Sequence, residues 1–267
     1  MNTMEKALSE LGHMDELAVK KSPIHSLNAG AKLLSTIVYI LIVMSFNKYD
    51  LSGLVPMVLV PVLLYQISGI SIGSCFYKLR IVLPLVMAVG LFNPIFDREI
   101  MLYIGNIGIS GGVISMLTLM LKGVLCLMMS FLLIATTPFD TICAAMRTAH
   151  MPAMLVTLLL LTYRYVGVMT EELAIMTDAY MLRAPGQKGI QFSAWGSFFG
   201  QVLLRTMDRG QELYSSMLLR GYHDHFHYAP VKPFRAKDGA YLIITCMCFV
   251  MLRYFNVAEA LGQLFVR

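Results

Sequence analysis

Two short segments carry the residue pattern with the most chemical content. Ala179-Tyr-Met-Leu-Arg183-Ala184 and Ser216-Met-Leu-Leu-Arg220-Gly221 share one order: small residue, apolar triplet, arginine, small residue. Acids precede both, Glu172 eleven positions before Arg183 and Glu212 eight positions before Arg220. Pro185-Gly186 stops the first pattern and Gly221 caps the second, so each arginine is expected at a helix C-terminus. An arginine flanked there by small residues can be pushed end-first into a partner's groove. Its planar fork can then hold a carboxylate through two parallel hydrogen bonds. The competing reading is a helix-dipole cap worth about 0.3–1 kcal/mol. Two copies in one stretch of chain favour docking.

His223-Asp-His225-Phe-His227 is the one metal-like cluster. In an extended stretch alternate residues share a face, so three imidazoles could converge on a transition metal. A polar loop ahead of Pro230 and Pro233 is preferred, because a working metal site ordinarily shows a fourth ligand and outer partners. Lys122 lies inside a long apolar run with no acid in the same run. An intramembrane charge suggests function by default, but a structural lysine facing neighbouring helices or snorkelling is the reading preferred here. Arg164 and Glu171-Glu172 stand about two turns apart and are expected to support the helices around them rather than to pair directly. No Walker A sequence, His-Glu-x-x-His, Gly-x-Ser-x-Gly or aspartate-rich magnesium-diphosphate motif occurs. Catalysis has no candidate constellation, and no cofactor is expected on this chain.

The elements that must hold these residues follow from composition. Apolar residues make up 57% of the 267 residues and charged residues 14%, against about 45–50% and about 25% in soluble domains. This describes an integral membrane protein and excludes a cytosolic enzyme, a secreted disulfide scaffold and a disordered chain. The net charge of +5 fits cytoplasmic loops better than a nucleic-acid footprint. Five cysteines, three of them within apolar runs and none in a Cys-x-x-Cys pair, read as small hydrophobes. The acidic first thirty residues are not a signal peptide.

Apolar runs place spans at about 31–46, 51–67, 81–96 and 113–135, with a glycine-bearing loop at 97–112 and a last span at 241–255. Pro56, Pro61 and Pro84 fall inside spans, which membrane helices tolerate when neighbours satisfy the freed carbonyls. Residues 136–238 hold about half of all charges yet keep helical spacing over 139–149, 152–182 and 193–219. The apolar run 151–162 is too short to span alone, and its insertion would make six spans rather than five. Basic residues Lys20, Lys21 and Lys32, then Lys78 and Arg80, then the 136–238 block, all fall inside if the N-terminus is cytoplasmic. The expected fold is therefore all-α and polytopic, with about five transmembrane helices. Residues 1–135 form an N-terminal segment and four spans, 136–238 a helical cytoplasmic module, and 239–267 the last span.

The chain resembles the transmembrane T component of energy-coupling factor transporters, nearest the cobalt/nickel type called the CbiQ family. The resemblance rests on Ser22-Pro-Ile-His25-Ser-Leu-Asn-Ala-Gly-Ala-Lys32-Leu-Leu, Thr137-Pro-Phe-Asp140, Met151-Pro152, Thr162-Tyr-Arg164-Tyr165, Glu171-Glu172 and the two arginine motifs. It implies a non-catalytic scaffold in the cell membrane. Two ATPase subunits, which carry the ATP and magnesium, would bind the ends of two coupling helices at Arg183 and Arg220. A separate substrate-binding membrane subunit would sit against the membrane helices. The first motif departs from the family's usual Ala-Arg-Gly, with Ala184-Pro185-Gly186 after Arg183. Twenty-one methionines suit helices that repack against a moving partner. A secondary transporter would need inverted repeats and polar sites at mid-depth. A metal-dependent membrane enzyme would need a convergent set that only the His223–His227 loop approaches.

Overall fold

A computed structural model of the chain describes Ala18 and residues 22–96, 100–104, 107–187, 189–222 and 233–254. The histidine cluster, Lys20 and Lys21 lie outside these. The described residues fall into two compact units. One is Phe139–Val231; the other is Glu16–Pro138 together with Lys232–Arg267.

The second unit is a helical bundle. Helix α1 (Ala29–Met44) starts where the Asn28 side chain accepts from the Gly30 N–H at 2.8 Å, a standard N-cap exchange. Helix α2 (Leu51–Ser68) starts on Asp50, whose carboxylate accepts from the Gly53 N–H, and tightens into a 3-10 turn at Val55–Val58. Pro61 has no N–H for the carbonyl four residues before it, that of Met57. The Tyr39 hydroxyl of α1 donates to that carbonyl at 2.9 Å. The proline is thus tolerated by the route expected for a membrane helix, a neighbour's donor.

Helix α3 (Ile72–Gly90) differs from the expected span at 81–96. It begins directly after the Gly69 turn and carries Lys78 and Arg80 inside it, since both residues are good helix formers. It stops early because Pro94 has no N–H for the carbonyl four residues before it, that of Gly90, where the helix ends. The short α4 (Asn93–Phe96) then starts afresh with Pro94 in its first turn. The expected 97–112 loop contains an antiparallel hairpin, β1 (Ile100–Ile104) and β2 (Ile107–Ser110). Isoleucines at alternate positions (100, 104, 107, 109) supply the period of two and the β-branching. The class remains all-α, with this hairpin as the departure among the described residues.

Helix α5 (Gly111–Thr136) is the long central element. It packs antiparallel to α3, and Gly123 lets the backbones approach: a Cβ there would lie 3.2 Å from a Val86 methyl. The last helix of this unit, α9 (Ala236–Tyr254), begins five residues before the expected span. The Asp238 carboxylate accepts from the Arg235 N–H at 2.8 Å and so caps the helix early.

Contacts set the register of α1 against its neighbours. Ser35 meets Tyr241, Tyr39 stacks edge-on with Phe249 at 5.2 Å, and Arg253 reaches the Ser45 carbonyl, so α1 and α9 run parallel. Lys32 bonds Thr136 and Lys122 bonds Phe46, so α1 and α5 run antiparallel.

The first unit contains α6 (Phe139–Thr148), α7 (Ala153–Arg183) and α8 (Trp195–Leu219), the last preceded by a 3-10 turn at Phe192–Ala194. Helix α6 ends on His150 at φ +64, with Met151 N–H on the Met146 carbonyl and His150 N–H on that of Arg147. That pair of bonds is a Schellman closure. Phe139 stacks on Tyr163 at 4.3 Å, laying α6 against α7. The apolar run that ends in the sequence at Tyr163 is the first third of a 31-residue helix. By length and apolarity, α2, α5 and α7 can cross a membrane among the described residues, while α1 is a shorter apolar helix of 16 residues.

Candidate functional site

The two arginine motifs end the two long helices of the Phe139–Val231 unit. Arg183 is the last residue of α7, and Ala184 closes it with its N–H on the Tyr180 carbonyl at 3.1 Å. A turn follows in which Gln187 N–H reaches the Ala184 carbonyl at 3.3 Å. The Tyr180 hydroxyl latches this turn. It donates to the Gln187 side-chain oxygen at 3.2 Å and accepts from the Gln191 N–H at 3.3 Å.

Arg220 sits one step further out, at the cap of α8. Gly221 takes φ +80, Tyr222 N–H bonds the Met217 carbonyl at 3.0 Å, and Gly221 N–H bonds that of Leu218 at 2.9 Å. This is the Schellman motif again, and only a glycine meets its left-handed position without steric cost. The difference between Pro185-Gly186 and Gly221 in the sequence thus becomes a difference of one residue in register between the two arginines.

Both tips are bare. Leu182 is 84% exposed and Leu219 90%, each next to its exposed arginine. Ala179, Ser216 and Gly221 are exposed beside them, and Ala184 is half-buried. Among the described residues neither Arg183 nor Arg220 forms an ion pair. A leucine presented to solvent at a helix end gains nothing for the isolated fold. At each tip it stands beside a guanidinium that has no carboxylate partner among the described residues, an apolar side chain next to a planar five-donor cation.

The supporting acids have distinct partners. Glu172 bonds Arg205 of α8 at 2.6 Å, and Glu212 pairs with Arg209 on its own helix at 3.4 Å. Motif reading does not find Arg205, because its partner is 33 residues away in sequence. Arg164 and Glu171 are exposed on α7. Met169, Leu173 and Met176 of α7 and Val202 of α8 line one small cleft beside the Glu172–Arg205 bond. The two helices therefore cross there.

Further along, Ala153, Met154 and Leu158 at the start of α7 face Leu213, Met217 and Tyr222 at the end of α8 across an apolar groove of about 650 Å³. The helices are consequently antiparallel, and their arginine ends point away from the crossing in opposite directions. At about 1.5 Å per residue, Arg183 lies about 16 Å and Arg220 about 22 Å from it along the helix axes.

Cys143 of α6 is buried, and burial together with the nearby Asp140 charge pushes its thiol above the ordinary range. It is a small hydrophobe, as the sequence suggests. Among the described residues no His, Cys, Asp and Glu cluster has metal-holding geometry.

Two charged residues behave differently from the sequence reading, and Lys122 faces a neighbouring helix as that reading prefers. Lys32, expected to precede the first span, is buried inside α1 and donates to the Thr136 carbonyl at 2.8 Å. Asp238, counted with the charged block, is buried at the start of α9. Lys122, preferred as structural, donates to the Phe46 carbonyl at 2.6 Å and to that of Met44 at 3.4 Å, so it caps the end of α1. A lysine in the first turn of an apolar helix was the available signal for the first of these.

Residues 20–228 match a family model described as "Cobalt transport protein" and named CbiQ. An uncharacterized protein of Methanocaldococcus jannaschii is 21% identical over 208 residues, 74% of this chain and 71% of that protein. The cobalt transport protein CbiQ of Rhodobacter capsulatus is 27% identical over 45% of this chain and 49% of its own length. The nickel permease LarQ of Lactiplantibacillus plantarum is 28% identical over 34% of this chain and 33% of its own.

Proposed function

The chain belongs to the CbiQ family of cobalt transport proteins, and from that membership we propose that it is the T component of an energy-coupling factor importer. It is a multi-pass protein of the cell membrane with its N-terminus in the cytoplasm. Residues 136–238 are its cytoplasmic coupling module, and 1–135 with 239–267 its membrane part. It holds no ATP; two partner ATPase subunits supply hydrolysis, and a separate membrane subunit binds the substrate. The names of the Rhodobacter and Lactiplantibacillus relatives favour cobalt or nickel as the ion carried.

The observation that carries this reading is the pair of bare Leu-Arg tips at opposite ends of two crossed helices. Two tips facing away from each other suit two ATPase subunits, one at each tip, better than a single partner. Each ATPase takes one tip, with the leucine in an apolar slot and the arginine on a carboxylate. When ATP draws the ATPases together, the tips are carried with them and the crossing of α7 and α8 changes angle. The brace at that crossing permits such a change. Glu172–Arg205 is half exposed, and pairs of that kind contribute about 0–1 kcal/mol. The motion then passes into the membrane helices through the chain on either side of the module.

The test is ion uptake in cells lacking their own cobalt and nickel importers. Uptake should require the chain, both ATPases and the substrate subunit together, and should disappear in the Arg183→Ala/Arg220→Ala variant. Uptake by the chain alone, driven by an ion gradient, would overturn the proposal.

A further inference from the structure

The chain leaves the membrane-side unit after Pro138 and returns to it at Lys232. The residues flanking both junctions meet at one buried polar knot. On the outgoing side, the Thr136 carbonyl at the end of α5 accepts from the Lys32 ammonium at 2.8 Å. On the returning side, the Asp238 carboxylate accepts the Arg235 N–H and, with its other oxygen, the N–H of Asn28, each at 2.8 Å. Asn28 is the cap of α1, and Lys32 lies one turn further along the same helix. Three helix ends separated by 104 and 210 residues in sequence are tied together.

Lys32 and Asp238 are each only 4% exposed. Burying an ammonium and a carboxylate costs several kcal/mol per ion before partners are counted, and apolar replacements of similar volume often give equal or better stability. Stability alone is therefore a weak reason for this arrangement. A buried polar network has a second property: its bonds strengthen one another, and when every member is satisfied it rigidifies the helices it joins. It passes a displacement on instead of absorbing it. The far end of α1 is held in the same way. Lys122 of α5 grips the Phe46 carbonyl, while Arg253 of α9 grips that of Ser45 and lies over the Phe46 ring at 3.9 Å. Helix α1 is thus clamped to α5 and α9 at both ends.

We infer that Lys32 and Asp238, with Asn28, are positioning residues that tie both junctions of the 139–231 unit to α1, making α1 the rod that carries movement across the membrane part. The transport role of this knot rests on the scaffold reading above; its existence as a cooperative unit does not.

Two measurements separate the two. The first is amide hydrogen exchange on the full-length chain in detergent, comparing wild type with Asp238→Asn and Lys32→Met. Asp238→Asn should speed exchange at Asn28 and Arg235, which bond to it, and also at residues 133–137, which are tied to α1 through Lys32. An increase of at least about tenfold there is expected. A change confined to Asn28 and Arg235 overturns the knot.

The second measurement uses the complex with its ATPases and substrate subunit in proteoliposomes. Both variants should retain the ATPases and hydrolyse ATP within about twofold of wild type, while ions carried per ATP fall at least about tenfold. Lys32→Arg, which keeps the donor, should recover much of the loss. Transport falling in parallel with hydrolysis, or unchanged transport per ATP, would overturn the positioning role. Should Lys32→Met fail to insert, Asp238→Asn alone decides both measurements. A wild-type chain that retains no ATPase would sink the scaffold reading and with it the transport role, leaving the exchange result to judge the knot.

Discussion

Lys122→Met removes an ammonium from the middle of α5 while keeping a side chain of similar length. In the wild type that ammonium donates at 2.6 Å to the Phe46 carbonyl, with a longer 3.4 Å contact to Met44. Both carbonyls lie at the C-terminal end of α1, where helix geometry leaves acceptors without intrahelical donors. In a membrane part no water replaces a lost donor. A hydrogen bond to a charged group contributes about 1.5–3 kcal/mol, and the contact at 3.4 Å adds little. Methionine recovers some of this by avoiding the desolvation of a charge, so the net loss should be about 2 kcal/mol. For a chain of this size that is a fall in Tm of roughly 4–8 °C.

The assay is thermal unfolding of purified protein in detergent, followed by loss of the monodisperse species. A double-mutant cycle with Arg253→Met sharpens it, because Arg253 grips the neighbouring Ser45 carbonyl and covers the Phe46 ring. Neighbours on one helix end should couple by at least about 0.5 kcal/mol. A Lys122→Met protein as stable as wild type, or strict additivity with Arg253→Met, would refute the reasoning that Lys122 is a cap.

Gly221→Asn should retain ATPase binding and Gly221→Val should lose it, since asparagine tolerates the left-handed backbone at φ +80 and a β-branched residue does not; a pull-down with the ATPases measures both. Glu172→Arg should cost no more than about 1 kcal/mol in unfolding experiments, because the pair is half exposed, and Glu172→Arg/Arg205→Glu should restore it. Cys143 should resist maleimide at pH 7.5 in the native protein and react after denaturation. Its raised pKa lowers the thiolate fraction at any given pH, and burial denies access. Gly123→Val should destabilise by about 1–3 kcal/mol through collision with Val86, and Val86→Ala should relieve part of that cost in the same unfolding assay.

Long apolar runs and punctuation made most helices readable. The ends of α5, α6 and α8 fall within two residues of the positions that spacing and glycines imply. The errors have a common cause. Charges read as boundaries, so the sequence starts α3 after Lys78 and Arg80 and α9 after Asp238, and it counts Lys32 with the basic residues of the loops. Helix propensity does not exclude lysine or arginine, and a buried partner far away in sequence can hold either sign. Isoleucine alternation at 100–109 was overlooked because the surrounding glycines read as a loop.

At the candidate site, the two arginine motifs and Glu172 were legible from residue type and repetition alone. Arg205, Lys32 and Asp238 were not, because their roles depend on carbonyls and carboxylates brought close only by the packing of helices. The exposed leucines beside Arg183 and Arg220 needed the structure as well. A leucine in an apolar triplet reads as core until its exposure is known.

Co-purification tests the scaffold proposal most directly. The chain is expressed beside the ATPases of its own host and extracted in detergent, as wild type and as Arg183→Ala/Arg220→Ala, with equal membrane insertion verified for both. The expected result is that the wild type retains the ATPases and the double variant loses them. Equal retention by both forms would take the docking role from the two arginines, and retention by neither would remove the coupling scaffold altogether.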